Sequence, residues 1–415
     1  MDRLSDVGRA LRNAPPHRLP EDIAAVLHKR YGADEVRLRM VDYGMRTLQN
    51  TGPGGMDVDS IPIQGTPEGR AFGAQEPWVE ADPRRKTVTV HLPVTVRGDR
   101  MGVLTVVLPE TVYTPAVLPD LQVACEALGH EILVAERDTD RYVIARRATR
   151  LTLAAEMQWQ LLPGRSCDRP EFSLGAHLEP AYAVFGDNFD WSSSEDDLTL
   201  TVTDGMGDGI NAALLTNLAV NALRNARRAG LGLADQAHLA DQAVYAQHQG
   251  ALHLSVLLMR FDLATGEAEA VDAGSPRVWR LRDRVVEPVT FEAQLPLGMF
   301  EDTPYVVQRF EVRPGDRLLL GSDGVYDTEG RDGEKYGDRA VARSLLANSL
   351  LPASQVPRAV LHELGEHRGV SPVADDAIVV CMDWYGRPEA GPANGADPGA
   401  ARPVPLRRRP ETRPE

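Results

Sequence analysis

The sequence predicts an α+β protein in which two folded parts are joined by a helical connector. Two runs rich in valine and threonine, Lys86 to Val96 and Met101 to Leu108, predict a β-hairpin in the first part. In the second part, strand patterns alternate with helix patterns over more than two hundred residues. From these patterns we expect a first domain at 1–134, a helical linker at 135–164, a second domain at 165–385 and a disordered tail at 386–415.

Composition narrows the class of protein. The chain has 415 residues, of which 43% are hydrophobic and 25% charged, so it can form the cores of two or three folded domains. Its formal net charge of -15 argues against nonspecific binding to nucleic acid or to an anionic membrane. Three widely spaced cysteines, Cys125, Cys167 and Cys381, favour reduced thiols over disulfides or a zinc site. Without a signal-peptide pattern or a long apolar run, the predicted location is the cytoplasm.

The first part of the chain mixes helix and strand patterns. Asp22 to Tyr31 predicts an amphipathic helix, and the alternation from Glu35 to Val41 predicts a strand. A loop rich in Gly, Pro and Asp follows, and then come the two hairpin strands, which meet at the turn Arg97 to Arg100. Pro115 to Val134 predicts a helix that closes this part.

The connector carries a weak heptad pattern that ends at Pro163 and Gly164. Its members are Ile144, Ala148, Leu151, Ala155, Gln158 and Leu162. Steps of four and three residues are typical of a coiled-coil seam, but half of these residues are small or polar. Two interpretations stay open: a coiled coil between two protomers, or a helix that packs against a core.

The second part supplies the strands and helices of a larger domain. In chain order we expect a strand at Leu198 to Thr203, helices at Ile210 to Arg228 and Asp235 to Gln249, strands at Leu252 to Phe261 and Ala268 to Ala273, and short strands at Asp316 to Gly321 and Ala377 to Met382.

Four acidic clusters lie at or next to ends of predicted strands. They are GDNFDW with Asp187 and Asp190, DGMGDG with Asp204, SDGVYD with Asp323 and Asp327, and VADDAIVV with Asp375 and Asp376. Carboxylates beside glycines suit a hard divalent cation bound by oxygen ligands, because the backbone can approach closely. We expect no histidine near the clusters, with His177, His248 and His253 as ordinary partly buried imidazoles. Oxygen-only ligation points to Mn²⁺ or Mg²⁺, and two such ions can activate a water for attack on phosphorus.

The order of these motifs and their residues resemble those of the PPM-type family, the protein phosphatase 2C-like metal-dependent serine/threonine phosphatases. The resemblance is to the bacterial sporulation stage II protein E branch of that family, and it spans residues 150 to 385. The matching motifs are FGDNFD, DGMGDG followed by INAALL, SDGVYD and DDAIVV. It implies a four-layer αββα sandwich and hydrolysis of phosphoserine or phosphothreonine on a protein, typically a STAS-type anti-anti-sigma factor encoded separately.

The same resemblance implies the roles of individual residues. Asp204 would bridge two ions, the Gly205 carbonyl and Asp187 would serve one of them, and Asp323 and Asp375 would serve the other. The four aspartates would thus be the catalytic set. Asp190, Asp327 and Asp376 would support these ligands or the fold. The chain departs from the branch at Phe185, Asn188, Asp208 and Ser275, where glycine, an aromatic residue and two histidines are usual.

The first part of the chain resembles a GAF sensor domain, on the strength of TPEGRAFGAQEPW followed by LPVTVRGDRMGVLTV. The resemblance implies a signal-sensing pocket; a domain that only dimerises or packs is the alternative. The segment Glu156 to Gly164, EMQWQLLPG, resembles the regulatory helix that precedes the phosphatase domain in the branch. Our hypothesis is that the connector orders the metal site when the sensor changes state. The heptad pattern would allow a homodimer through the linker helix.

Three other interpretations compete with the phosphatase. A catalytically weak or silent scaffold that binds a signalling partner is favoured by Asp208 and Asn188. A dinucleotide-binding turn at DGMGDG has the wrong glycine spacing and would set carboxylates against the pyrophosphate. Acidic turns that bind no metal explain any single cluster but explain all four together poorly.

Overall fold

The computed structural model describes residues 5–52, 59–370, 373, 375–387 and 407–408. The chain divides into two compact units, one of residues 1–150 with 394–415 and one of residues 151–393. No helix of the described residues is long and apolar enough to cross a membrane. The three cysteines are free thiols, and all are buried.

The N-terminal unit is an antiparallel sheet with helices on both faces. Its elements are α1 (Ser5–Asn13), a 3-10 helix (Pro16–Arg18), α2 (Leu19–Tyr31), β1 (Glu35–Val41), β2 (Thr47–Asn50), β3 (Ile61–Pro62), α3 (Pro67–Ala74), β4 (Trp78–Asp82), β5 (Thr87–Val96), β6 (Asp99–Pro109), α4 (Val117–Ala135) and α5 (Arg141–Ala145). These strands are hydrogen-bonded in the order β4-β5-β6-β1-β2-β3.

The two-residue period of β1 explains how both faces of this sheet are buried. Met40 packs with Leu27 of α2 and Leu128 of α4 on one face. The next residue, Val41, points to the other face and packs with Phe72 of α3. The strand is therefore covered by helices on both sides, which accounts for its nearly continuous apolar C-terminal half.

The C-terminal unit contains two further antiparallel sheets. Its elements are α6 (Leu153–Leu161), β7 (Ser166–Asp168), β8 (Phe172–Glu179), β9 (Asn188–Ser193), β10 (Asp197–Gly205), α7 (Gly209–Arg228), α8 (Leu233–His248), β11 (Leu254–Asp262), β12 (Glu267–Ala273), β13 (Arg277–Arg282), β14 (Val285–Val289), β15 (Gln308–Glu311), β16 (Arg317–Gly321), α9 (Asp323–Tyr326), α10 (Gly337–Ala347), α11 (Val356–Arg368) and β17 (Ala377–Trp384). One sheet has the order β15-β12-β11-β10-β9, and the other has the order β14-β13-β16-β17-β8-β7.

Each sheet buries one face against the other sheet and one face against helices. Leu200 of β10 and Leu320 of β16 belong to one apolar cluster that both sheets share. Leu258 of β11 packs instead with α7 and α8. Leu319 of β16 packs with α10 and α11. Alternate residues of β11 and of β16 therefore serve different layers, which explains why successive residues of these two strands are apolar.

Every strand and helix predicted within the two domains is present within three residues of its predicted bounds. The hairpin is β5 and β6, and the strand that leads to Asp204 is β10. The short strand β18 (Arg407–Arg408) pairs in parallel with β4 and becomes the seventh strand of the N-terminal sheet. Apart from residues 386–387 and this strand, the tail predicted to be disordered lies outside the described residues.

The prediction of a continuous connector helix is wrong. The segment contains two short helices, α5 and α6, and residues 146–152 between them are not helical. Thr152 starts α6 as its N-cap, with its side chain accepting a hydrogen bond from the Ala155 amide. Tyr142 of α5 is buried in the N-terminal core, whereas α6 belongs to the C-terminal unit. The heptad spacing therefore does not describe one helix face.

Candidate metal centre

The first two predicted ligands lie side by side at one end of the five-stranded sheet. Asp187 directly precedes β9, and Asp204 is the next-to-last residue of β10. The two strands are antiparallel, and Asn188 pairs with Thr203. The start of β9 and the end of β10 therefore meet at the same end of the sheet. Asp187 is 1% exposed.

The other two predicted ligands meet in the same way on the six-stranded sheet. Asp323 is the first residue of α9, just beyond the end of β16, and Asp375 lies two residues before β17. Because β16 and β17 are antiparallel neighbours, the end of one and the start of the other share an edge. Asp323 is partly buried, whereas Asp375 is exposed.

Asp376 links the ends of the two sheets that carry the predicted ligands. Its Oδ2 accepts hydrogen bonds from the backbone amides of Phe185, Gly186 and Asp187, at 2.9, 3.1 and 3.3 Å. It also accepts a bond from the side chain of Gln158 at 3.3 Å. The carboxyl group is buried, and burial raises its pKa to about 7 despite these donors. This residue is therefore a structural support beneath the predicted ligands.

Two glycines allow the turn before Asp187 to lie against the end of β10. Gly186 has φ +115°, and a Cβ on it would lie 2.2 Å from the carbonyl oxygen of Gly205. The Gly205 carbonyl is therefore directed toward the turn that carries Asp187. Thr216 of α7 donates a 2.6 Å hydrogen bond to the Gly186 carbonyl. The turn is thus held from both sides by backbone that only glycine accommodates.

Burial raises the pKa of each predicted ligand, and repulsion from neighbouring carboxylates adds to this effect for Asp187, Asp323 and Asp375. Burial is the main cause for Asp187, whose pKa lies well above its ordinary value, and the charge of Asp204 is the second cause. Burial, followed by the charges of Asp204 and Asp375, raises the pKa of Asp323 to about 6. Burial also raises the pKa values of Asp204 and Asp375. The carboxylates therefore sense one another across the two sheets, as groups gathered at one site do.

The oxygen atoms of this cluster suit a divalent cation. Asp187 Oδ2 and Asp323 Oδ1 are buried and have no hydrogen-bond partner in the described part of the chain. A buried carboxylate oxygen without a donor is costly, and Mn²⁺ or Mg²⁺ would satisfy it. Among the described residues, no group of three or more His, Cys, Asp or Glu is gathered closely enough to hold an ion. The donors therefore share an edge without forming a closed cage.

The remaining acidic residues of the motifs lie apart from this cluster. Asp190 is buried on the α7 side of β9, where it binds two arginines of that helix. Asp327 forms an exposed ion pair with Lys335 at 3.0 Å. Asp208 is exposed at the N-cap position of α7, and its side chain makes no capping bond.

Two serines that sequence reasoning did not assign to the site contact the predicted ligands. The Ser275 hydroxyl donates to Asp204 Oδ2. Ser322 lies near Asp187 and lowers the pKa of that carboxyl, against the larger effect of burial. Ser322 adjoins the predicted ligand Asp323, and Ser275 lies in AGSP. The sequence therefore shows both motifs, but it does not show which ligands these serines approach in the fold.

The expectation of no histidine near the clusters is wrong for His253. It directly precedes β11, two residues from Ser255, which pairs with Asp204. A positive charge on His253 would lower the pKa of Asp204. The antiparallel pairing of β10 with β11 creates this proximity, which sequence separation concealed. His177 is buried away from these motifs in β8, where burial lowers its pKa.

Several known proteins are similar to this chain. Residues 194–385 match the family model described as Stage II sporulation protein E (SpoIIE). The phosphoserine phosphatase RsbU of Bacillus subtilis (strain 168) is 21% identical over 277 residues, which cover 65% of this chain and 81% of RsbU. Protein IcfG of Synechocystis sp. is 20% identical over 255 residues, covering 55% of this chain and 40% of IcfG. The chain therefore spans less than half of that relative.

A similar solved structure is the SiaA-PP2C domain of Pseudomonas aeruginosa. It is 22% identical, with a TM-score of 0.48, and the match covers 56% of this chain and 94% of that domain. The family match, over residues 194–385, identifies a phosphatase domain of the PP2C class in the C-terminal unit. Within that class, it is a member of the SpoIIE family.

Proposed function

We propose that the chain hydrolyses phosphoserine or phosphothreonine on a regulatory protein with the help of two Mn²⁺ or Mg²⁺ ions. The observation that carries this proposal is the convergence of Asp187, Asp204, Asp323 and Asp375 from two sheets onto one edge. Their raised pKa values and the two unpartnered carboxylate oxygens are the second support. The similarity to RsbU, a phosphoserine phosphatase, is the third.

In this proposal Asp204 would serve both ions. Asp187 and the Gly205 carbonyl would hold one of them, and Asp323 and Asp375 would hold the other. Bound divalent ions supply positive charge to phosphoryl oxygens and lower the pKa of a water. The chain itself orients the ligands: the hydrogen bond from the Ser275 hydroxyl, described above, holds the Asp204 carboxylate in place.

We assign the wider architecture by the same reasoning. The two sheets that share a core, with helices on their outer faces, support a four-layer αββα sandwich. The N-terminal sheet with helices on both faces supports a GAF-like sensor. The partner would be a phosphorylated STAS-type anti-anti-sigma factor in the cytoplasm.

Control by the N-terminal unit would act through α6, the first helix of the C-terminal unit. Gln158 lies on this helix and is 4% exposed. Its side-chain amide donates to the carbonyl of Asp187 at 2.9 Å and to Asp376. A shift of α6 would therefore disturb both the backbone of Asp187 and the side chain of Asp376, which binds the turn before Asp187. This contact supports the hypothesis that the connector orders the metal site.

The test is hydrolysis of p-nitrophenyl phosphate and of a phosphoserine protein by the full chain, with and without Mn²⁺. Asp204→Asn should lower Mn²⁺-dependent turnover by on the order of 10²–10³-fold, because it removes charge that positions the ions. Asp197→Asn is the matched control, since Asp197 begins the same strand at its opposite end. Turnover retained in Asp204→Asn contradicts the site, and a wild-type chain without Mn²⁺-dependent turnover contradicts the activity.

A scaffold that binds a signalling partner is the second candidate. One observation favours it: the described carboxylates do not close around a single ion position. Asp208 and Asn188, which depart from the family motifs, are consistent with it. Calorimetric binding of Mn²⁺ without turnover on either substrate would favour this candidate over the phosphatase.

A further inference from the structure

Arg277 lies at the end of the six-stranded sheet where Asp323 and Asp375 meet. It is the first residue of β13, and it pairs with Gly321, the last residue of β16. Gly321 is two residues from the proposed ligand Asp323. Two residues before Arg277, Ser275 donates its hydroxyl hydrogen to Asp204. Arg277 is therefore close along the chain to Ser275, which contacts Asp204. Across the sheet it pairs with Gly321, which is close to Asp323.

An aromatic ring positions the guanidinium group of this residue. The Arg277 Cζ lies 3.8 Å from the centroid of the Tyr326 ring. Tyr326 is the last residue of α9, which begins with Asp323, and its hydroxyl donates a 2.7 Å bond to the Ser275 carbonyl. The Tyr326 ring is thus held by its helix at one end and by its hydroxyl bond at the other. A guanidinium group stacked on this ring loses little further conformational freedom when it binds an anion.

The charge of Arg277 is available to a ligand. Its side chain is 50% exposed, and its ion-pair partner Asp338, at 3.2 Å, is 61% exposed. Exposed pairs of this kind contribute little stability, so a doubly charged anion can displace Asp338 at small cost. By contrast, Arg224 and Arg227 are mostly buried and bound to Asp190.

We propose that Arg277 binds the phosphoryl group of the substrate. Two N–H groups of its planar guanidinium would donate to nonbridging phosphoryl oxygens, and Asp338 would be released. A formal net charge of -15 repels a phosphorylated partner, and a cation beside the carboxylates offsets that repulsion locally. The ligand class is a phosphate monoester dianion or inorganic phosphate. This inference rests on the proposed function, because it assigns a substrate contact at the same site.

The direct test is calorimetric titration of inorganic phosphate into the Mn²⁺-loaded full chain. Arg277→Ala should weaken phosphate binding by roughly tenfold to a hundredfold, the size of effect expected for charge-assisted hydrogen bonds. Arg277→Lys should fall between wild type and Arg277→Ala, because lysine keeps the charge and loses the planar pair of donors. The affinity for Mn²⁺ should stay unchanged in both variants, since neither removes a proposed metal ligand.

Arg260→Ala is the matched control and should bind phosphate like wild type. Arg260 is a partly exposed arginine on β11 of the five-stranded sheet, and it forms an ion pair with Glu269. It lies five residues along β11 from Ser255, the residue that pairs with Asp204. Asp338→Asn should bind phosphate as tightly as wild type or a few-fold more tightly, because it removes the carboxylate that competes for Arg277.

Kinetics separate a substrate contact from a merely structural role. Arg277→Ala should raise KM for p-nitrophenyl phosphate and for the phosphoprotein by about the same factor as it weakens phosphate binding. A structural role would instead lower the midpoint of thermal unfolding and the Mn²⁺ affinity. Phosphate binding by Arg277→Ala within twofold of wild type overturns the proposal, as does a wild-type chain that binds no phosphate. Phosphate binding that depends on Arg277, without any turnover, supports the proposal and contradicts the phosphatase function.

Discussion

The side-chain amide of Gln158 donates a 3.3 Å hydrogen bond to Oδ2 of Asp376, 218 residues further along the chain. The same amide donates to the Asp187 carbonyl at 2.9 Å. One side chain of α6 therefore contacts elements that belong to both sheets of the C-terminal unit. Because all of these atoms are buried, no water can substitute for the amide without rearrangement.

We predict that Gln158→Ala lowers Mn²⁺ affinity by about 10- to 100-fold, the range typical of residues that support metal ligands. The change removes a donor from both the Asp187 carbonyl and Asp376. Titration calorimetry with Mn²⁺ checks the prediction. Gln160→Ala is the control, because Gln160 lies on the same helix and makes only an exposed bond to Glu156. Equal affinities in the two variants would show that α6 does not support the site.

Gly186→Ala should destabilise the protein more than Gly207→Ala. Both glycines have positive φ, +115° and +103°, so alanine is strained at each by about 1–2 kcal/mol. At Gly207 the added methyl group meets no atom within 4 Å, whereas at Gly186 it would lie 2.2 Å from the Gly205 carbonyl oxygen. We expect a further loss of about 1–3 kcal/mol for Gly186→Ala, and weaker Mn²⁺ binding. Urea unfolding of both variants measures the difference, and equal losses would contradict the close approach.

The metal-free protein should lose stability as pH rises from about 4 to about 7, relative to its Asp376→Asn variant. Burial raises the Asp376 pKa from 3.8 to about 7, so folding favours the protonated carboxyl. The resulting stability is fully present below the unfolded pKa and is lost as pH rises through the folded value. The full effect is about 4 kcal/mol, and asparagine stays neutral throughout. Urea unfolding in EDTA at pH 4.5 and 7.5 measures it; a difference between the proteins that does not change with pH would refute the assignment.

Asp190→Ala should lower the free energy of unfolding by about 3 kcal/mol. Asp190 accepts from Arg224 at 2.7 Å and from Arg227 at 2.8 Å, and its loss leaves two mostly buried guanidinium groups without their carboxylate. The control is Glu311→Ala, which breaks an exposed pair with Arg313 and should cost less than about 1 kcal/mol. Chemical denaturation compares them, and equal costs would mean that the buried pair contributes no more than a surface one.

Local patterns in the sequence were sufficient for the elements that carry the site. The alternation over Glu35–Val41 predicts the bounds of β1 as the structure has them, and β10 extends the predicted strand by one residue before it and two after it. The acidic residues at strand ends could be found because a carboxylate next to glycine is a local signal. Which strand ends meet depends on sheet order, which periodicity does not encode.

The parts that sequence reasoning missed depend on contacts between distant segments. Ser275 reaches Asp204 across 71 residues, and His253 comes near it through the pairing of β10 with β11. The break in the connector was accessible, since Thr152 followed by a helix-forming run is a typical N-cap signal. The heptad steps obscured it, because spacing by three and four residues fits two separate helices as well as one.

The bonds from three consecutive backbone amides to Asp376 have a consequence for the exchange of hydrogen with solvent. The amides of Phe185, Gly186 and Asp187 lie in a turn outside regular secondary structure, where exchange is ordinarily fast. Here all three donate to the carboxylate of Asp376, which directly precedes β17 of the other sheet. We expect them to exchange when the two sheets separate at this end. Their deuterium uptake should therefore report how often that separation occurs.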